Sequence, residues 1–107
     1  MVILKIKKKE FDLIAAGTKK SEWRASSNYN VKQLLAKNDK GKYDKNTAIK
    51  EIKFVNGYKK DSPALMAEVL LIRPVKFQCD MDFPDDNFKA YEGQCGIEIK
   101  LGKITIL

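Results

Sequence analysis

Eight residues constrain the fold most strongly: Gly17-Thr18-Lys19-Lys20-Ser21-Glu22-Trp23-Arg24. A glycine directly after a helical pattern is typical of a helix end, because glycine adopts the left-handed conformation at little cost. The residues after it alternate in character, which indicates a strand over 20–25 with Glu22 and Arg24 on one face and Trp23 on the other. The segment therefore predicts a helix that ends at Gly17 and is followed closely by a strand.

The residues before this segment predict an opening strand and a short helix. Residues 2–6 are apolar and β-branched, as in a strand. Phe11, Ile14 and Ala15 then recur at helical spacing within 8–16. The chain is therefore expected to start as strand, helix and strand.

Strand patterns dominate the middle of the chain. After a short amphipathic helix over 30–37, alternating apolar residues predict a strand within 47–58. Residues 64–72 form a nearly continuous apolar run, which is typical of a strand buried on both faces.

The last third of the chain contains an acidic loop and a strand whose phase changes. Residues 80–86 predict a loop that lacks the glycine and terminal glutamate of a calcium site, and a short helix is predicted near 88–91. Apolar residues then fall on odd positions in 97–101 and on even positions in 104–106. A bulge at Gly102 explains this change, because it keeps both sets facing the core.

The composition indicates one cytoplasmic domain. A length of 107 residues is typical of a single domain, so we predict one domain over 1–107. The first apolar stretch is too short for a signal peptide, and no later one reaches the length of a membrane span. Cys79 and Cys95 lack metal-site spacing, and the absence of histidine excludes Ser-His-Asp and Cys-His catalysis. We expect no metal, no cofactor and no membrane partner.

Positive charge is concentrated in the first part of the chain. Residues 1–60 hold 16 Lys and Arg against 6 Asp and Glu, a net charge of +10, whereas residues 61–107 hold 5 against 8, a net charge of −3. A basic face of this kind releases condensed counterions when it contacts phosphates, so the pattern is consistent with an RNA partner. A lysine-rich composition without any polyanion partner explains it equally well.

The 17–24 segment also fits the pattern G-x-K-x-x-E-x-R, at Gly17, Lys19, Glu22 and Arg24. In this feature the chain resembles the ASCH family, whose members carry the pattern directly after the first strand and helix. The similarity extends loosely over the whole chain. It implies an α+β fold of the PUA-like type, a small open β-barrel of about five to six strands with two or three short helices.

The resemblance implies a ligand site at these residues, and their chemistry is consistent with one. Glu22 and Arg24 share a strand face, and with Lys19 nearby the three side chains are expected to meet in a cleft. Lys19 and Glu22 are the candidate catalytic residues, because a desolvated lysine beside a glutamate can poise either group as a base. The Arg24 guanidinium offers forked donors to a phosphate or a base edge. A surface ion-pair ladder is the structural alternative.

Four further residues are candidates for ligand binding: Lys7, Lys20, Tyr58 and Arg73. Lys7 follows the opening strand, and Lys20 lies at the start of the strand that carries the cleft. Tyr58 lies near a turn and is a candidate pocket wall, and Arg73 lies where the apolar run ends, at a predicted barrel rim. Trp23, on the face opposite the cleft, is expected in the core.

The resemblance implies two classes of function. The first is binding of RNA or a modified nucleoside in the Lys-Glu-Arg cleft. The second is hydrolysis, either of N4-acetylcytidine or of RNA, since family members resemble amidohydrolases and ribonucleases. The family amidohydrolase mechanism uses its lysine to activate a threonine three residues later, where this chain has Glu22. In a hydrolase, Glu22 would therefore act as general base on water, with Lys19 or Arg24 stabilising the oxyanion.

A protein-interaction domain is the third possibility, because a fold does not by itself determine function.

Overall fold

The computed structural model describes residues 1–76 and 95–107 and shows an alternation of short helices and strands. In chain order the elements are β1 (Val2–Lys5), α1 (Lys8–Ala15), β2 (Ser21–Ala25), α2 (Asn28–Leu34), β3 (Ala36–Lys37), β4 (Tyr43–Asp44), β5 (Glu51–Val55), β6 (Ala64–Lys76) and β7 (Cys95–Ile106). The predicted start as strand, helix and strand is confirmed. The helix predicted over 30–37 is confirmed as α2, which begins and ends a few residues earlier.

Local hydrogen bonds explain why the first helix ends where the sequence predicts. Gly17 has a φ of +76°, in the left-handed region, so the chain reverses after α1. The backbone N–H groups of Thr18 and Lys19 both donate to the Leu13 carbonyl, at 3.0 and 3.1 Å. This turn satisfies the end of the helix and directs the chain into β2.

One curled, mixed sheet of five strands forms the centre of the fold. Its strand order is β1-β5-β6-β7-β2, with β1 parallel to β5 and all other neighbours antiparallel. The sheet curls into a half-barrel, and β3 and β4 form a separate two-stranded sheet. The predicted α+β class is thus confirmed, and the half-barrel is consistent with the predicted small open barrel. Because the barrel is open, β1 and β2 are its two edge strands.

The core lies on the inner face of the curled sheet. Helix α1 contributes Phe11 and Ile14, and Leu34 and Leu35 come from the end of α2. The sheet contributes alternate residues: Leu4, Ile52, Phe54, Leu65, Ala67, Val69, Ile72, Ile97, Ile99 and Leu101. Strand alternation and helical spacing therefore place both sets of apolar residues in one cluster.

The pairing of β6 with β7 confirms the predicted bulge. Ala67 pairs with Ile104 but Val69 pairs with Leu101, so β7 holds an extra residue at 102–103. Burial of the second apolar set ends at Ile104, however.

Two burial predictions for these strands were wrong. Ile106 is 60% exposed, because it is the last residue of β7 and the core cluster does not extend to it. The run over 64–72 is buried on one face only, and Leu70 is also 60% exposed. Both helices add their apolar residues to the core cluster on the inner face, and Leu70 is not part of that cluster.

Neither α1 nor α2 has the length or apolar character needed to cross a lipid bilayer. The predicted acidic loop over 80–86, the helix predicted near 88–91 and Cys79 lie outside the described residues.

Candidate functional site

The three residues of the predicted cleft lie at one edge of the half-barrel. Glu22 and Arg24 pair with Ile99 and Ile97, two core residues, so their side chains start on the inner face of edge strand β2. Lys19 lies in the turn before β2, where Gly17 reverses the chain. We call Lys19, Glu22 and Arg24 the edge cluster.

A buried ion pair forms the inner part of the edge cluster. Lys19 Nζ lies 3.1 Å from Glu22 Oε1, and the two side chains are only 3% and 4% exposed. The same carboxylate oxygen accepts a hydrogen bond from the Trp23 backbone N–H at 3.0 Å. Lys19 Nζ also lies 5.7 Å from the centroid of the Trp23 ring. These contacts compensate much of the cost of removing both charges from water.

Arg24 forms the outer part of the edge cluster and connects the two edges of the sheet. Its Nη2 lies 3.8 Å from Glu22 Oε2 and donates to the backbone oxygen of Lys5 at 2.9 Å. Lys5 is the last residue of β1, the opposite edge strand. The Arg24 side chain is 23% exposed, whereas the Lys19 and Glu22 side chains are almost completely buried. Arg24 is therefore the member of the cluster that a ligand can reach.

Of the other predicted residues, some lie near the edge cluster and one lies on the other face of the sheet. Lys20 is exposed, and its backbone oxygen accepts from Leu101 N at 2.8 Å. Of the two adjacent lysines, Lys19 therefore contacts Glu22, and Lys20 lies in solvent. Lys7 is the exposed N-cap of α1, two residues after Lys5.

Tyr58 is connected to the edge cluster by Lys5. The residue is 86% exposed, and Lys5 Nζ lies 3.7 Å from the ring centroid. Lys5 therefore contacts Tyr58 with its side chain and Arg24 with its backbone.

The structure separates Arg73 from the edge cluster. Arg73 pairs with Glu98, which in turn pairs with Trp23, so these three residues lie on the outer face of the sheet. Arg73 Nε donates to Glu98 Oε1 at 2.7 Å, and Ser21 Oγ donates to the other oxygen of this carboxylate at 3.1 Å. The expectation that Trp23 lies in the core is wrong for the same reason: it is half-buried on the outer face.

A groove of about 520 Å³ on the outer face lies apart from all the predicted residues. Its walls include Lys50, which directly precedes β5, Glu68 of β6 and Lys103 of β7. In the described ranges 1–76 and 95–107, no three Cys, Asp or Glu side chains are grouped so that they could hold a metal ion.

Sequence reasoning missed Asn56, and it interprets Lys5, which could line the cleft from the face that it shares with Lys7, as an ordinary solvated lysine. Asn56 Nδ2 donates to the Ile6 carbonyl at 3.0 Å and so attaches the loop after β5 to the end of β1. Lys5 alternates with the buried Leu4, which is the pattern of an ordinary solvated lysine. Its role depends on β1 and β2 being the two edges of one sheet, and no local pattern shows this.

In comparisons with known proteins, no family model, curated protein or solved structure matches this chain. The resemblance to the ASCH family therefore stays a prediction that rests on the 17–24 segment.

Proposed function

We propose that this chain is an ASCH domain with a PUA-like barrel, and that it binds RNA or a modified nucleoside at the edge cluster. The observation that carries the proposal is the position of Arg24, held by a buried carboxylate at the open seam between β1 and β2. The G-x-K-x-x-E-x-R pattern supports the family assignment, and the contacts among Lys19, Glu22 and Arg24 give these three residues of the pattern a common structural role.

The buried pair supports the proposal because it positions Arg24. Lys19 balances one negative charge of Glu22, and Glu22 Oε2 faces the guanidinium. A side chain held in this way loses less rotamer freedom when it binds a ligand. Lys19 and Glu22 are therefore positioning residues in the binding proposal.

The donors of Arg24 fit an anionic or base-edge ligand. Both of its contacts with described residues use Nη2, which leaves Nη1 and Nε for a ligand. A guanidinium presents five N–H donors in a planar fork, which suits a phosphate or the edge of a base. The exposed lysines Lys5 and Lys7, at and after the end of β1, and Lys20, directly before β2, add positive charge at the ends of the two edge strands.

A salt titration of RNA binding tests the proposal. Fluorescence anisotropy of a labelled, unstructured RNA oligonucleotide would give the Kd of the wild type, Arg24→Gln and Arg73→Gln at several salt concentrations. Arg73 is the only other arginine of the chain and also pairs with a glutamate, but on the outer face. It is therefore the matched control.

We expect Arg24→Gln to weaken binding and to reduce the slope of log K against log salt by about 0.7, the value for one lost phosphate contact on a single strand. We expect Arg73→Gln to match the wild type. Absence of wild-type binding, or equal effects of the two substitutions, would remove the edge cluster as an RNA site.

Hydrolysis is a second candidate function because Lys19 and Glu22 are in direct contact. At a separation of 3.1 Å, Lys19 holds the Glu22 carboxylate beside Arg24, the exposed member of the edge cluster. In this candidate, Glu22 takes a proton from water, the resulting hydroxide adds to the acetyl carbonyl of N4-acetylcytidine, and Arg24 stabilises the oxyanion. The C–N bond then breaks and the protonated Glu22 gives its proton to the departing N4 amine, which releases cytidine and acetate. With RNA, the hydroxide adds to phosphorus, a P–O bond breaks, and the proton goes to the departing ribose oxygen. Glu22 is 4% exposed, so the water has to enter beside Arg24.

Incubation with N4-acetylcytidine, followed by chromatography for cytidine, tests the hydrolase candidate, and a labelled RNA on a denaturing gel tests ribonuclease action. Turnover that persists in Arg73→Gln and disappears in Glu22→Gln, at a temperature at which urea denaturation shows Glu22→Gln to be folded, supports catalysis at the edge cluster. Lack of turnover in the wild type leaves the binding function alone.

A further inference from the structure

Tyr58 is an aromatic side chain that the fold presents to solvent next to the edge cluster. The residue is 86% exposed, although burial of an aromatic side chain is normally favourable. Lys5 Nζ lies 3.7 Å from the ring centroid, a cation–π geometry. The ring is thus held by a positive charge while most of its surface stays accessible.

The loop that carries Tyr58 is ordered by several hydrogen bonds. Asn56 attaches its start to Ile6 through the side chain and to Pro63 through the backbone N–H. At its other end, Ser62 N donates to the Lys59 carbonyl at 3.1 Å, and Lys59 N donates to Ser62 Oγ at 3.0 Å. The loop therefore presents the ring in a defined place before any ligand binds.

Gly57 makes this loop conformation possible. Its φ is +125°, and a Cβ there would lie 2.6 Å from Ser62 Oγ. Another residue would disturb the turn that closes the loop, so the position directly before Tyr58 requires glycine.

Positive charge surrounds the ring. Lys59 and Lys60 follow Tyr58 and are exposed, and Lys5 links it to Arg24. A single lysine, Lys5, thus contacts the ring through its ammonium and the guanidinium through its backbone oxygen. An exposed aromatic ring beside a track of cations is the arrangement by which proteins stack unpaired bases and follow the backbone.

We infer that Tyr58 stacks on an unpaired nucleobase while a phosphate of the same strand lies at Arg24, so that the ligand is single-stranded rather than duplex RNA. This inference rests on the proposed function. It follows from the chemistry of the ring: in a duplex the faces of the bases are covered by their neighbours, and only an unstacked base can lie on the tyrosine.

The test compares three probes: an unstructured single-stranded RNA, the same strand annealed to its complement, and the free nucleoside cytidine. Each is titrated with the wild type, Tyr58→Leu and Tyr58→Phe. Tyr43→Leu is the matched control, because the Tyr43 ring also lies near a lysine, Lys37 at 5.4 Å, but belongs to the separate β3–β4 sheet. Tyr58 is exposed, so its variants should keep the thermal stability of the wild type.

We expect the single strand to bind most tightly, and Tyr58→Leu to weaken it about 5- to 150-fold with an unchanged salt slope. Tyr58→Phe and Tyr43→Leu should stay within about twofold of the wild type, because phenylalanine keeps the stacking face. Binding that requires Arg24 but ignores Tyr58→Leu, or that is equally tight for duplex, overturns the inference and leaves the proposed function intact. Tight cytidine binding assigns the platform to a free nucleoside and also overturns it. Lack of any binding overturns both.

Discussion

Arg24 Nη2 donates a hydrogen bond to the backbone oxygen of Lys5 at 2.9 Å, and this bond joins the two edge strands of the five-stranded sheet. Edge strands carry backbone groups without a partner strand, and in an open barrel two such edges remain. The guanidinium thus satisfies a carbonyl of β1 from a side chain of β2. The edge cluster therefore belongs to the structure of the barrel and to the candidate site at the same time.

Removal of this link should lower stability measurably. We expect Arg24→Met to reduce the free energy of unfolding by about 1 to 2 kcal/mol, because a charge-assisted hydrogen bond is lost and the side chain is mostly shielded from solvent. Urea denaturation measures the change. Lys8→Met is the control, since Lys8 forms an exposed ion pair with Asp12 and should change stability by less than about 0.5 kcal/mol. Equal effects of the two substitutions would show that the link between the strands contributes nothing.

Substitutions in the buried Lys19–Glu22 pair should lower the free energy of unfolding more than Arg24→Met does, and the effects of the two substitutions should not add. Glu22→Gln leaves the Lys19 ammonium buried without a counter-charge, which should cost about 3 to 5 kcal/mol of unfolding free energy. The double variant Lys19→Met with Glu22→Gln removes that charge and keeps an amide oxygen for the Trp23 N–H. It should therefore be more stable than Glu22→Gln alone.

The exposed pair Lys8–Asp12 provides the comparison for this experiment. Asp12→Asn should cost less than about 0.5 kcal/mol, because both side chains of that pair are largely in solvent. A loss in Glu22→Gln no larger than the loss in Asp12→Asn would contradict the burial of the Lys19–Glu22 pair.

Gly17 should be required for its backbone conformation alone. A Cβ at Gly17 would meet nothing within 4 Å, but its φ of +76° is unfavourable for any side chain. We expect Gly17→Ala to reduce the free energy of unfolding by about 1 kcal/mol and Gly17→Asn by less, because asparagine tolerates this region. A thermal or urea unfolding series gives the order. A fully stable Gly17→Ala variant would exclude a left-handed residue at the end of α1.

The sequence was sufficient for features that depend on neighbouring residues. The helix end at Gly17, the shared face of Glu22 and Arg24, and the bulge near Gly102 all follow from local periodicity, and the structure confirms them. Burial was harder to predict. The apolar character of 64–72 indicates a strand but does not tell whether one or two faces are covered.

Contacts between distant segments could not be predicted from periodicity. The Arg24–Lys5 bond depends on which strands become the edges of the sheet, and the separation of Arg73 from the edge cluster depends on its register with Glu98. Trp23 shows the same difficulty, since its hydrophobic character favoured the core while strand alternation placed it opposite Arg73 and Glu98. The predicted alternation of Trp23 with Glu22 and Arg24 is confirmed, but alternation alone does not tell which face of the sheet packs against the core.

Substitutions of the two adjacent lysines of the 17–24 segment should affect different quantities, one the free energy of unfolding and the other RNA binding. Lys19 is buried against Glu22, whereas Lys20 is exposed at the entrance to β2. We expect Lys20→Ala to leave the free energy of unfolding within about 0.5 kcal/mol of the wild type, as is usual for surface substitutions. On the proposed RNA function, it should weaken binding and reduce the salt slope by about 0.7, because one phosphate contact is lost. Lys19→Ala should instead lower stability, because the Glu22 carboxylate loses its buried counter-charge. Urea denaturation and RNA anisotropy on the same two variants measure both quantities, and the reverse assignment, with Lys20 affecting folding and Lys19 only the salt slope, would show that the two side chains have exchanged places.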